Sequence, residues 1–499
     1  MNIIDLIIFL LFTGGVVVFG ATFFSKRRTA DEYTAGGRNI PGWAVGMSIF
    51  ATYISSISYL GNPGQSYLRD WNGMLFSLSI PIAAFFAAKF FVPFYRRMNS
   101  VSAYEFLERR FGVWARIYAN VCYLLTQMAR IGAIVYLLAV TMKQLFGWDI
   151  RTIIVVTTIA ITLYSMLGGI KAVIWTEAIQ GIILIGGAIA CIIAIMIEMP
   201  EGPMQIFTIA ARDNKFSLGS FGTSLSESTF WVCLVYGIFM NLQNFGIDQN
   251  YVQRYITAKS DRQARFSALF GGYLYIPISA MLYFIGTALY AYVQASPELP
   301  ISEGIKSDDI FPWFIAHKLP VGMTGLLVAS IFAAGMSTIA TSITSSSTIV
   351  LTDYYQRFFN RKATDIQSMR VLYITNGVIT VIGILVAFAF MSVESSLDAW
   401  WALSSIFGGG MLGLFLLGFV SQKVRNVDAA IATICGIGVV IWMSLSPLFF
   451  TEGSWKAFAS PFHKNLAIVV GTTVVFCVGF LINKFLFKSK LNHTKSSLS

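Results

Sequence analysis

Charge is what this chain has least of. Asp, Glu, Lys and Arg make up only 12% of its 499 residues, about half the share found in soluble globular chains. Such a composition cannot cover a soluble enzyme of this size with a polar surface. Histidine is scarcer still. The three present, His317, His463 and His493, fall in loops or the tail, which argues against a membrane oxidoreductase ligating haem inside the bilayer. The five cysteines form no CxxC or Cys/His cluster, so neither a disulfide framework nor a zinc site is indicated. The alternating pattern of a transmembrane barrel strand is missing as well.

What is present is apolar length. Hydrophobic residues are 56% of the chain and the mean hydropathy is +0.69. At about 20 residues per span, we read thirteen segments: 2–24, 41–67, 73–95, 113–145, 151–169, 173–198, 228–252, 263–293, 320–354, 370–392, 396–422, 427–449 and 462–486. The expected class is an all-α integral membrane protein of about 13 transmembrane helices.

The net charge of +11 tests the orientation. With the N-terminus outside, 24 of the 35 Lys and Arg residues fall in inside loops, beginning with Lys26-Arg27-Arg28, and 9 fall outside. This asymmetry supports thirteen spans ending in a cytoplasmic C-terminus. The positive charge is thus accounted for by the bilayer rather than by a nucleic-acid partner. Lys89 and Arg130 are the two basic residues left within spans. Two outer loops, 199–227 and 294–319, are long enough to form small lids.

Four spans carry polar groups that hydrocarbon penalises. Segment two clusters Thr52, Ser55, Ser56 and Ser58 ahead of Gly61, Pro63 and Gly64. Such a stretch unwinds to offer carbonyls to a cation, or its hydroxyls bond back to their own helix. Segment seven holds Asn241, Gln243 and Asn244 between Gly237 and Gly246, a second interruption or interhelical amide glue. Segment nine has a hydroxyl stripe, of which most members read as small-residue helix packing and Ser337 and Thr338 as the candidate ligands for a hard monovalent cation. Segment four carries Arg130, 14 residues after Arg116 and so about 21 Å along a helix. It needs a counter-charge, a wet cavity or an anionic ligand, or else it is a structural arginine bonded to the carbonyls of a broken helix. Glu177 and Asp248 lie toward the cytoplasmic ends and offer no obvious permanent partner.

Segments two and seven are five apart and run in opposite directions. Two interrupted helices at matching places in inverted halves point to a midplane site in a secondary transporter. The expected units are an N-terminal helix and loop (1–40), a first five-helix repeat (41–198), an outer loop (199–227), a second repeat (228–422), and C-terminal helices with a tail (423–499).

Several stretches, spread in order along the chain, resemble the solute:sodium symporter family. They are Ala30-Asp-Glu-Tyr-Thr-Ala-Gly-Gly-Arg38 with Pro41-Gly-Trp-Ala-Val-Gly46, residues Gly168 to Gly181, Asp248-Gln-Asn-Tyr-Val-Gln-Arg254, and Pro320 to Ser337. Within the family the chain is most similar to the bacterial sialic acid symporters. The resemblance implies an inverted 5+5 repeat like that of the bacterial leucine transporter, with one extra N-terminal and two extra C-terminal helices. It also implies Na+ as coupling ion, uptake of an acidic sugar by alternating access, no enzymatic reaction, and a bacterial cytoplasmic membrane. A neutral sugar or another small carboxylate is the alternative cargo.

By the same resemblance, the main Na+ would meet the carbonyls of Ala51, Ile54 and Ala334 and the hydroxyls of Ser337 and Thr338. Ser55, Ser58 and Arg130 would line the substrate site. Tyr53 stands where those symporters carry a small hydroxyl residue, and Ser77 stands near their glutamine. Asn241 and Gln243 complete the expected lining. A second Na+ site would use Glu177, Ser337 and Thr341, but Ala340 lacks the hydroxyl found there in those symporters. One Na+ per substrate is therefore expected.

Overall fold

The computed structural model describes residues 2–23, 29–98, 100–296, 306–450 and 453–496. The basic cluster Lys26-Arg27-Arg28 and residues 297–305 of the second outer loop lie outside the described residues. Among the described residues the secondary structure is helical, apart from one isolated bridge between Ile40 and Ala258.

The helices that place the site are α1 (Ile3–Ala21), α2 (Gly42–Tyr53), α3 (Ser56–Leu68), α4 (Met74–Met98), α5 (Glu105–Phe111), α6 (Val113–Phe146), α7 (Ile150–Glu198), α8 (Phe230–Ile247), α9 (Gln249–Thr257), α10 (Asp261–Ala295), α11 (Met323–Phe359), α12 (Asp365–Phe390), α13 (Ser396–Val420), α14 (Asn426–Phe449) and α15 (Ala467–Ser496). The α2–α3 pair is one span bent by 49°, and with it twelve described spans are long and apolar enough to cross a bilayer. The fifth expected segment is an apolar stretch, Ile150–Leu163, that is shorter than these. It joins the next span through Gly169, whose φ of +62° breaks α7 where the sequence divides segments five and six.

Helix α11 is the centre of the molecule. From Ala333 to Ile349 every residue is buried, and α1, α6, α7 and α12 pack around it. A helix closed in on all sides can carry a hydroxyl stripe without exposing it to lipid. Its N-terminal end is capped from a distance: Asp5 of α1 accepts from the amides of Gly322 at 2.7 Å and Gly325 at 3.0 Å. Carboxylates suit this position because the first amides of a helix lack intrahelical partners.

Close approach positions the broken span. A Cβ on Gly271 would stand 2.7 Å from the Gly46 carbonyl oxygen, and one on Gly286 would stand 2.0 Å from that of Pro63. Helix α10 thus lies directly on the α2–α3 backbone, as small residues permit in membrane packing.

Candidate functional site

The break in the second span sets the local chemistry. Helix α2 stops at Tyr53, and Ile54 leaves helical geometry at φ −82° and ψ 83°. The Ser55 amide turns to the Tyr53 carbonyl and the Ser58 hydroxyl, each at 3.1 Å. In an unbroken helix that amide would serve the carbonyl of Ala51. The break therefore withdraws the usual donor from Ala51 and leaves an acceptor in the interior. Opposite, Ser337 Oγ and Thr338 Oγ1 donate to the Ala334 carbonyl at 2.9 and 3.0 Å. Each hydroxyl keeps its lone pairs for another partner. Ala51, Ile54, Ala334, Ser337 and Thr338 are all buried, and α2 packs on α11. The five residues expected around the main Na+ thus lie on two contacting elements.

Arg130 sits beside the same break. Its Nη2 donates to the Thr52 carbonyl at 2.6 Å, and its guanidinium lies 5.9 Å from the centre of the Trp400 ring. Among the described residues it makes no ion pair. It lines a buried cavity of ≈ 60 Å³ together with Tyr53, Ser55, Ser58 and Ser77, so five of the seven expected substrate residues meet at one place.

Asn241 and Gln243 do not line it. Asn241 stands behind Tyr53, accepting from its hydroxyl at 2.8 Å and donating to the Phe76 carbonyl and Ser79. Gln243 is pressed against Gly408, where a Cβ would stand 1.9 Å from its Oε1. The lining residues of that segment are Asn244, Asp248 and Tyr251. The signal was available in the spacing: residues four apart share a helix face, whereas residues two apart do not. By its place in the sequence, Asp248 reads as lying toward the cytoplasmic end of its span. The chain instead breaks there, between α8 and α9, and Asp248 caps α9 with a 2.7 Å bond from the Asn250 amide.

On one side the cavity meets a larger opening. Gly73 and Trp401 belong both to it and to a vestibule of ≈ 720 Å³ that is also lined by Arg69, Asp70, Lys215 and His463. The vestibule reaches residues of the 199–227 loop. Arg69, after α3, and Asp398, at the start of α13, face each other across it at 3.5 Å.

On the other side the interior is closed by ion pairs. Arg254 is fully buried, and its Nη2 donates to both Glu177 oxygens, at 2.8 and 2.7 Å. Its Nε donates to Ser48 Oγ at 2.7 Å, and Thr341 Oγ1 donates to Glu177 Oε1 at 2.9 Å. Four elements, α2, α7, α9 and α11, converge on this one pair. Of the residues expected at a second Na+ site, Glu177 and Thr341 are together here, while Ser337 bonds to Ala334. Further along, Arg116 pairs with Glu108 at 2.6 Å and with Asp353 at 2.5 Å, and Arg357 reaches Glu108 at 2.6 Å. Burial alone would raise the Glu108 carboxyl, but Arg357 and Arg116 outweigh it and hold the group below the ordinary carboxylate range.

The broken spans, the buried arginine without an ion pair among the described residues and the ion-paired closure on one side suit a coupled transporter, and comparison with known proteins decides which kind. The sodium:solute symporter family matches residues 33–436. This chain belongs to that family. Among the symporter's relatives, the sodium/sialic acid symporter SiaT of Proteus mirabilis is 34% identical over 439 residues, covering 86% of this chain and 87% of its own. The sodium/sialic acid symporter NanT of Aliivibrio fischeri is 32% identical over 491 residues, covering 96% and 93%. A solved Na+-coupled sialic acid symporter in a substrate-bound, outward-open state superposes with a TM-score of 0.88 at 29% identity, over 97% of this chain and 98% of that one. Mhp1, a nucleobase-cation-symport-1 transporter in a closed conformation, matches at a TM-score of 0.58 and 13% identity, covering 94% and 96%, and this likeness is one of fold alone. The expected all-helical fold of the leucine-transporter type therefore holds.

Proposed function

We infer that this symporter imports sialic acid together with Na+. The observation that carries the substrate reading is Arg130, a buried guanidinium without an ion pair among the described residues, facing a cavity walled by hydroxyls and aromatic rings. The planar fork matches a carboxylate bidentately, while Ser55, Ser58, Ser77 and Asn244 suit the hydroxyls of a sugar. At ≈ 60 Å³ the cavity is well below the roughly 300 Å³ of a small-ligand site. The side chains at its neck must therefore move outward as the sugar acid enters from the vestibule.

The Na+ site and the arginine share one strand of backbone. Ala51 and Ile54 would face the ion, and Thr52 between them holds Arg130. A substrate carboxylate that draws Arg130 away from Thr52 acts on the same turn that binds Na+, so each ligand strengthens the other by the same factor. The stoichiometry that follows is one Na+ per substrate: the carboxylate of Glu177 already has a cation in Arg254.

The two broken spans belong to inverted repeats over 41–198 and 228–422, flanked by 1–40, the 199–227 loop and 423–499. The N-terminus lies outside and the C-terminus in the cytoplasm of a bacterial inner membrane. The deciding experiment is uptake into proteoliposomes from a panel of sialic acid, hexoses and short carboxylates. Saturable uptake of sialic acid that requires a Na+ gradient is expected. Na+-driven uptake of a hexose in its place would overturn the substrate reading.

A further inference from the structure

Lys89 has no part in the site described above, yet it lies well inside a span. It precedes Met98, the last residue of α4, by nine positions, or about 14 Å of helix. The helix widens to a π-turn over Ala87–Phe91, and the Lys89 ammonium lies 5.3 Å from the centre of the Phe90 ring and 5.7 Å from that of Phe85.

A groove of ≈ 550 Å³ runs from Lys89 to Arg97, Arg109 and Arg265, walled by Phe90 and Phe94, and among the described residues no carboxylate lines it. The neighbouring Arg96 shows what a satisfied arginine looks like here: it binds Asp261 at 2.5 Å and the Tyr255 and Ala258 carbonyls at 2.9 Å. Lys89, Arg97 and Arg265 make no ion pair among the described residues, and all three are exposed. Only Arg109 has an acidic partner, Glu105. The groove opens at the face that the distribution of basic residues assigns to the cytoplasm. Phe90 is 52% exposed.

We propose that this groove binds the phosphate headgroup of an anionic phospholipid of the cytoplasmic leaflet, with the acyl chains lying along Phe90 and Phe94. Basic pockets between spans on that side are suited to such headgroups. Lys89 would extend its stem through the acyl region toward the phosphate, as buried-stem lysines do. The aromatic walls and the depth of Lys89 favour a lipid over a soluble phosphate, which would gain nothing from either.

The test is native mass spectrometry of the full-length protein in detergent, titrated with phosphatidylglycerol or phosphatidylcholine. Phosphatidylglycerol should be retained preferentially. Each of Lys89→Ala, Arg97→Ala and Arg265→Ala should weaken it about fivefold, equivalent to about 1 kcal/mol, and the triple variant about 100-fold, with phosphatidylcholine unaffected. Unchanged substrate affinity in the triple variant shows that it is folded; if it is not, Lys89→Gln serves in its place. Equal retention of the two lipids, or full retention by the folded variant, would overturn the proposal. Displacement by equimolar glycerol phosphate would do the same, because it would mark the groove as a site for soluble anions.

Discussion

At the residue scale, Arg130 is the most exposed to test. If it grips the substrate carboxylate in a partly desolvated cavity, truncation should cost about 2–5 kcal/mol, or roughly 30- to several-thousand-fold in affinity. Arg130→Lys should be badly impaired as well, since an ammonium cannot reproduce the fork. Calorimetry on stable Arg130→Ala protein, comparing the acid with its methyl ester, separates recognition from folding. Wild type should distinguish the two strongly and the variant hardly at all. For the ion, the Ser337→Ala, Thr338→Ala double variant should need much more Na+ for half-maximal uptake while remaining folded; an unshifted Na+ dependence would remove both hydroxyls from the site. Arg130 was legible because its distance from Arg116 along a helix can be counted. Asn241 and Gln243 were misplaced because composition located the polar stretch of segment seven but did not give the phase of the helix that carries it. That phase is fixed by the break at Asp248 and by Tyr53, which covers Asn241.

At the scale of elements, the break in segment two was readable from its Gly, Pro and hydroxyl cluster, whereas the amides and glycines of segment seven pointed to an interruption at 241–246 and the helix instead runs unbroken to Ile247 and breaks at Asp248. The partner of Glu177 was not readable. Arg254 lies 77 positions further along and looks like a loop residue, because nothing local shows that α9 folds back into the protein. The pair now makes a specific demand on stability. Removing either group alone leaves a buried, uncompensated charge and should lower stability by about 3–5 kcal/mol. Arg254→Met combined with Glu177→Leu should recover most of that loss, as read from thermal unfolding in detergent; additive losses would mean that the pair is not a unit. The Glu108 cluster gives a pH signature. Its carboxyl is held below the ordinary value, so its contribution is complete above the unfolded glutamate pKa of about 4.3 and is lost as pH falls through the folded value. The stability difference between wild type and Glu108→Gln should therefore be constant near neutrality and shrink in acid. A difference that grows on acidification would contradict the assignment.

For the whole molecule, one side of the cavity opens into the vestibule and the other is closed by ion pairs, and the stoichiometry governs what happens next. One Na+ carried with one monoanionic sugar acid moves no net charge. In proteoliposomes, an inside-negative potential set by valinomycin and a K+ gradient should leave the steady-state accumulation unchanged; a several-fold increase would require a second Na+. A guanidinium wired into the chain beside Glu177 cannot be drawn from the medium or released to it, and so contributes nothing to the driving force. A tenfold Na+ gradient is worth about 1.4 kcal/mol, and with no help from voltage it sustains only about a tenfold excess of the sugar acid inside. With one Na+ per substrate, Arg254 would set the ceiling to which this protein can fill a cell, and continued import beyond it would depend on how quickly the cell consumes what arrives.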